Sequence, residues 1–229
     1  MSDRSFSFRQ LQSQFGLGQA LQSLSLGAKT TAIEPSSWLL RTLEIAQSTT
    51  LLTEKERSER LISPILLELR EQTHRQVSIF SGFELTIQPD QGLNGECDFI
   101  VARSPLDVEL QAPICTIVEA KRGELESALA QCSAQVWGAY QFNQKFNSHW
   151  LSSIINPPNI NHPDIDRPDQ ESRLPLPLFG CVTTGEIWRF LQLMRTPNDH
   201  YLIAIDRESY YLDQIPTILG ILHYIAIVA

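Results

Sequence analysis

The chain changes its hydrophobic period several times, and those changes mark out its elements. Leu61, Ile62, Ile65, Leu66 and Leu69 recur at the three-and-four spacing of an amphipathic helix. Just upstream, Thr53 and Glu56 form a T-x-x-E capping box, which predicts a helix start there and an end near His74. Pro64 falls inside this run and removes one backbone hydrogen bond, which predicts a kink unless the helix starts later. A shorter helix is predicted from the PSSW step, capped by Ser36 or Ser37 and running to about Ala46. Before it, residues 1–30 are rich in Ser, Gln and Leu with weak periodicity, and read as an arm with one or two short helices. From Phe83 to Gln88 the period drops to two, the signature of a strand. Further strands are predicted over 95–102 and 114–121, followed by one long helix from Glu124 to about Phe146. The PDQGLNG stretch between the first two strands is turn chemistry, so its literal Pro89-Asp90 pair is read as a turn.

Six prolines between 155 and 177 predict a surface loop. Strands follow over 178–183, 187–194 and 201–205, with a turn at Thr184-Gly185. The apolar C-terminal run IPTILGILHYIAIVA has 15 residues, short of the roughly 20 that span a bilayer, and reads as a helix docked on the core. The order is helix, three strands, helix, then more strands. It predicts an α/β fold: a mixed β-sheet flanked by helices, in αβββαβ order, with extra N-terminal helices and a C-terminal helix. A chain of 229 residues suits a single domain. Its parts are an N-terminal arm and helix over 1–50, a core over 51–215 that carries the Pro-rich loop at 155–177, and the C-terminal helix over 213–229.

Composition narrows the partners. Hydrophobic residues at 42% and charged residues at 19% are those of an ordinary globular protein. The net charge of -8 argues against nucleic-acid binding through the whole surface, so any phosphate must be met by a local basic patch or a metal ion. Cys97, Cys115, Cys132 and Cys181 lack zinc-ribbon spacing and read as reduced, semi-buried thiols. With no apolar leader in MSDRSFSFRQ, they predict a cytoplasmic protein without membrane contact.

The chemistry concentrates on two strands. Alternation puts Cys97, Phe99 and Val101 on one face of the first and Glu96, Asp98 and Ile100 on the other. In the next strand Cys115, Ile117, Glu119 and Lys121 share a face, with Glu119 and Lys121 about 7 Å apart along the chain. A carboxylate and an ammonium at the end of an apolar strand are costly to bury unless they are paired or hold a metal. If the two strands are neighbours, Asp98 joins Glu119, and two carboxylates suit Mg²⁺.

The pattern G-E-C-D-F-I-V, a spacer, then I-V-E-A-K resembles the PD-(D/E)xK, restriction-endonuclease-like, nuclease superfamily. SERLISPILLELRE is similar to a stretch in the nuclease domains of type I restriction subunits, and V-T-T-G-E-I-W-R-F-L-Q-L to a later hairpin of such domains. The resemblance covers residues 53–193. It implies a nuclease-like core using Mg²⁺ or Mn²⁺, with Asp98, Glu119 and the Ala120 carbonyl as metal ligands and Lys121 as the catalytic lysine. It also implies an accessory glutamate on the preceding helix, Glu59 by preference or Glu68, and a supporting glutamine on the following one, Gln131 or Gln135. Gln135 and Tyr140 approximate a Q-x-x-x-Y signature that is one residue too long. The partner implied is nucleic acid, DNA before RNA, and a homodimer is admitted.

Against this stand blander readings. Asp98 is then a strand-edge carboxylate, Glu119 and Lys121 a solvated pair, and Arg103, Arg122, Lys145 and Arg189 scattered surface charges. The corresponding function is a catalytically inactive binding or scaffold module on the same fold.

Overall fold

In a computed structural model the described residues are 6–155 and 177–228. The Pro-rich loop predicted over 155–177 lies outside them apart from its two end residues. The chain opens with α1 (Phe8–Phe15), β1 (Gly18–Gln22), α2 (Leu26–Lys29) and α3 (Ser37–Gln47). A helical stretch follows as α4 (Glu54–Arg57), a π turn at Ser58–Ile62, and α5 (Ser63–Gln72). Then come β2 (Ser78–Gln88), β3 (Leu93–Ala102), β4 (Ile114–Ala120) and the long α6 (Glu126–Ile155). The remainder is β5 (Leu178–Thr183), β6 (Ile187–Arg195), β7 (Tyr201–Asp206), β8 (Tyr210–Tyr211) and α7 (Ile215–His223).

The strands form one mixed sheet in the order β1-β7-β6-β5-β4-β3-β2, with β8 pairing β6. Pairing is parallel between β4 and β5 and between β1 and β7, and antiparallel elsewhere. The central strands β4 and β5 are buried at every position, which is why ICTIVEA and LFGCVT read as nearly continuous apolar runs. One face of the sheet packs on α2, α3, α5 and α7 through residues such as Phe99, Val118, Cys181 and Phe190. The other packs on α1 and α6 through Ile100, Ile117, Val182 and Leu191. α6 crosses β5 at Gly180, where an added Cβ would stand 2.5 Å from Leu191, 2.8 Å from Val136 and 2.9 Å from Cys132. Only glycine admits so close a helix on that strand.

Several expectations need correction. The N-terminal arm holds its short helices but also β1, which pairs in parallel with β7 and forms a sheet edge. With five residues and no charge, GQALQ carried too little pattern to be seen. Pro64 falls in the first turn of α5, the later start at which a proline is tolerated, after a π turn in which Ser63 N–H donates to Ser58 O. Ser36 is the cap of α3, and the Thr53/Glu56 capping box is present at α4. Pro89–Gln91 is an exposed 3₁₀ turn, as its turn chemistry predicts. The C-terminal run is a buried helix continued by a π turn over Tyr224–Val228. Among the described residues no helix is long and apolar enough to cross a membrane. All four cysteines are buried and free.

Simple alternation fails in β4, where Cys115 packs on the α2–α7 side and Ile117 on the α6 side next to a register shift against β3, and it fails at one place in β3. Cys97 packs on the α6 side with Ile100, whereas Phe99 and Val101 pack on the opposite side. The cause lies in the neighbouring strand. Gly82 takes a left-handed φ of 60°, and the β2–β3 pairing passes from Ser81↔Phe99 to Phe83↔Cys97 without a bridge between. The kink turns the strand over just where Asp98 stands.

Candidate functional site

The register of β3 on β4 runs through Phe99↔Val118, and the ladder ends there. One step further, Asp98 stands opposite Glu119. The Ala120 N–H is met by the Asp98 side chain, donating to Oδ2 at 2.8 Å. The strands therefore part at this end, and the two carboxylates face the gap. Lys121, the first residue past β4, is anchored by its N–H to Thr183 O at 2.8 Å. Its Nζ lies 3.0 Å from Glu119 Oε1 and 3.9 Å from Glu54 Oε1. From α6, Gln135 Nε2 donates to Glu119 Oε2 at 3.0 Å and to Glu96 O at 3.4 Å.

So Asp98, Glu119, Lys121 and Gln135 come together, and Ala120 sits between them, fully buried. Gln131 lines an adjacent cleft one turn of α6 away. Neither helix glutamate favoured by the sequence joins them. Glu59 is 61% exposed and lies 3.8 Å from Lys55 on its own helix. Glu68 is 4% exposed and accepts from Ser36 N–H, Ser36 Oγ and Gln72 Nε2, so it anchors the start of α3. The carboxylate that reaches Lys121 is Glu54, in the first turn of α4 after the Thr53 cap. The likeness to type I restriction subunits that implied Glu59 or Glu68 is a local sequence pattern, and Glu68, beside the apolar stripe, takes a structural role instead. Such a pattern says nothing about where the helix's first turn is aimed. Tyr140 turns away from the cluster. Its hydroxyl bonds that of Tyr201 and its ring stacks on Trp137.

These placements predict a contrast. Glu68→Ala should lower stability by about 2 kcal/mol, because it removes a buried carboxylate that accepts from Ser36 N–H, Ser36 Oγ and Gln72 Nε2. Glu59→Ala should change it by less than about 0.5 kcal/mol. Thermal melts of the two variants check this, and equal losses would contradict the placement.

The electrostatics of the cluster are those of a site short of positive charge. Glu119 is 2% exposed. Burial, and then the charge of Asp98, push its carboxyl up to about 7, against the opposing pull of Lys121 and Gln135. Asp98 is also raised, first by burial and then by Glu54 and Glu96, although the Ala120 N–H and Lys121 pull it down. Burial works to lower Lys121, but Glu119, Glu54 and Asp98 outweigh it and hold the ammonium protonated. The Cys97 thiol beside the cluster is pushed up to about 12 by burial and by Glu119, Asp98 and Glu96, so it is neither a thiolate ligand nor a nucleophile. Arg103 and Arg189 are spent elsewhere: Arg103 Nε donates to Ala226 O, and Arg189 bonds Asp206 O and Glu126.

Among the described residues no three Asp, Glu, His or Cys side chains stand close enough to hold a cation unaided. The donor set does fit a hard cation that takes most of its shell from water and substrate, since two carboxylates suffice for that mode. Gln135 Oε1, next to Glu119, is buried with no donor beside it. Compared with protein-family models, curated proteins and solved structures, the chain matches none of them.

Proposed function

We propose that the protein is a divalent-metal-dependent nuclease of the PD-(D/E)xK, restriction-endonuclease-like kind, hydrolysing phosphodiester bonds in DNA in preference to RNA. One observation carries the reading. Asp98 and Glu119 converge where β3 and β4 part, with Lys121 on Glu119, and both carboxyls are raised above their ordinary range. Carboxyls raised by burial and like charge cluster at functional sites, where such shifts serve the chemistry. The order of the core lends support: a helix, three antiparallel strands, a long helix and then a strand parallel to β4.

In this reading Asp98, Glu119 and the Ala120 carbonyl hold Mg²⁺ or Mn²⁺. The bound cation supplies Lewis acidity to a phosphate oxygen and makes a water easier to deprotonate. The chain's own groups do the rest. Gln135 fixes the orientation of the Glu119 carboxylate through Oε2. Lys121, kept protonated by its carboxylate neighbours, offsets the negative charge that develops at phosphorus. Glu54 holds the free end of Lys121 from the other side of the gap.

The test is a cleavage assay on single-stranded DNA, duplex DNA and RNA with Mg²⁺ or Mn²⁺. Cutting that depends on the metal and stops with chelator is expected. No cutting of any substrate, together with no metal binding by calorimetry, would discard the reading.

A second reading has its own observation. Glu54 and Glu96 stand close enough to raise Asp98, so a phosphodiester strand meets further carboxylates there. An inactive nuclease fold serving as a binding module accounts for that surface, and it predicts no cleavage.

A further inference from the structure

A cleft of about 600 Å³ lies between the β2–β3 hairpin and α6, within the range of about 300–1,000 Å³ usual for ligand pockets. It adjoins the cluster. Gln135 lines it and also holds Glu119, while Cys97 lines it and immediately precedes Asp98. Strand alternation decides which side chains enter it. Phe83, Leu85, Leu93 and Cys97 pack on the α6 side. Glu84, Asn94 and Glu96 alternate with them and turn their side chains to the opposite face. The side chains that face the cleft are therefore uncharged.

Two glycines keep it open. Gly95 stands directly opposite Leu85 in the ladder, so the two share a face and Gly95 forms part of the floor. A Cβ added there would meet no atom within 4 Å. Gly138 lines the cleft from within α6, where an added Cβ would lie 3.9 Å from Leu85 and from Ile87, an ordinary contact. Neither glycine has the left-handed φ that excludes other residues. Glycine weakens the interior of a helix and of a strand. Backbone and packing thus explain neither residue, whereas a side chain at either would narrow the cleft.

The lining narrows the occupant. Phe6, Leu85, Leu93, Cys97 and Ala134 make it apolar, and the Cys97 thiol is neutral. No Lys, Arg or His among the described residues lines it, so it is not a seat for phosphate. Phe6 offers an aromatic ring, held against that of Phe15 with centroids 6.1 Å apart. Gln131 adds an amide able to donate and to accept. A flat, uncharged ring with polar edges meets all of these demands. A strand whose phosphate lies at the cluster carries such a ring on the adjoining sugar.

We propose that the cleft takes one unpaired base of the strand being cut, whatever its identity, and so makes the site selective for single-stranded over duplex DNA. The proposal rests on the nuclease reading of the neighbouring cluster. Every base has an apolar face, and stacking on an aromatic side chain tolerates any sequence. A single amide that can donate or accept meets the edges of all four bases, so it does not choose among them. In a duplex the base is already stacked and paired, and drawing it out costs free energy that a single strand is spared.

Two measurements test this. The first is an NMR titration of the native chain with deoxyadenosine, thymidine and, as a probe without a base, deoxyribose 5-phosphate. The amides of Gly95 and Gly138, both in the cleft lining, report occupancy. Both nucleosides are expected to shift them, with affinities within about threefold of each other, and the sugar phosphate is not. Gly95→Leu has room for its Cβ and puts a side chain on the floor of the cleft. It should weaken both nucleosides at least about tenfold, read at Gly138, with the melting temperature unchanged. Phe6→Ala, near the chain's start, removes the ring without touching the sheet, and should weaken them about as much. No shift at either glycine, sugar phosphate bound as well as nucleoside, or binding indifferent to both substitutions would overturn the proposal. The second measurement compares cutting, with Mn²⁺, of a single strand, its duplex, and the same strand carrying one abasic site. The single strand is expected to be cut at least about tenfold faster than the duplex, with cuts suppressed beside the abasic site. Equal cutting of all three overturns the cleft proposal and leaves the nuclease standing. Nucleosides bound as expected, with no strand cut in either metal, overturn the nuclease reading and leave the base site.

Discussion

Asp98→Asn is expected to reduce metal-dependent cleavage by about a hundredfold or more, with the melting temperature little changed. Replacing groups outside the inner shell of a metal site already costs about 10–100-fold, so losing the charge of a ligand should cost at least the upper figure. Asparagine keeps an oxygen that can accept the Ala120 N–H, now bonded to Asp98 Oδ2 at 2.8 Å, so the splayed end of β3 and β4 stays tied. That separates this variant from Asp98→Ala, which removes the acceptor as well and should also unfold more readily. Lys121→Ala is expected to lower the turnover rate by about a hundredfold, the cost of one donor aimed at developing charge. Its effect should fall chiefly on kcat, because the ammonium offsets charge that develops only in the transition state. Lys121→Arg should not restore the rate, since the planar fork of arginine does not replace a point charge at Glu119. Cleavage that survives both Asp98→Asn and Lys121→Ala would remove this cluster from the chemistry.

Glu119→Gln is expected to make the metal-free protein more heat-stable at pH 8 while destroying metal binding. Folding raises the carboxyl of Glu119 from the ordinary 4.5 to about 7. Between those values the folded chain holds a proton that the unfolded chain has released. Its stability therefore falls as pH rises through this window, and above about 7 the loss is complete. A shift of that size corresponds to something on the order of 3 kcal/mol. Glutamine resembles the protonated acid at every pH and escapes the loss. The lost contact with Lys121 offsets part of the gain, although Glu54 and Asp98 still face the ammonium. A few degrees of higher melting temperature at pH 8, and near equality at pH 5, are expected in chelator. Titrating groups whose shifts do not involve Glu119, such as Asp206, are common to both proteins and cancel in the comparison. In the native protein Mg²⁺ should raise the melting temperature more at pH 8 than at pH 5, because the metal displaces the proton. Glu119→Gln should not respond to it. Native and variant melts that run parallel from pH 5 to pH 8 would show that Glu119 is not the strained acid described here.

Much of this architecture was legible in the chain. Where one face of an element is wet and the other dry, the period of the apolar residues reports the element directly. That holds for α5, and the starts of α3 and α4 were readable from their caps. Fully buried β4 and β5 were recognisable as short β-branched and apolar runs. The strand β1 was not legible, because an edge strand of five residues takes its stability from β7, more than 180 residues away. The face switch at Asp98 was not legible either. It is set by Gly82 in the partner strand, and a period-two reading of β3 alone cannot contain it.

Asp98, Glu119 and Lys121 as a set were legible in the sequence once their two strands are neighbours, while Gln131 and Gln135 stood as alternatives on the following helix until the structure put Gln135 on Glu119. Their spacing on two neighbouring strands leaves few other places for them, and an ionised pair at the end of an apolar strand needs a reason to be there. Tertiary structure decided which glutamate joins them. Glu54 reaches Lys121 because the first turn of α4 is aimed at the gap, while Glu68 is drawn off to Ser36 and Glu59 to Lys55. It decided also that a cleft lined by Gln135 and Cys97 lies against the cluster. Local pattern says which side of an element is dry. Which elements meet at their ends is fixed by long-range packing, and there the charges of this site are set.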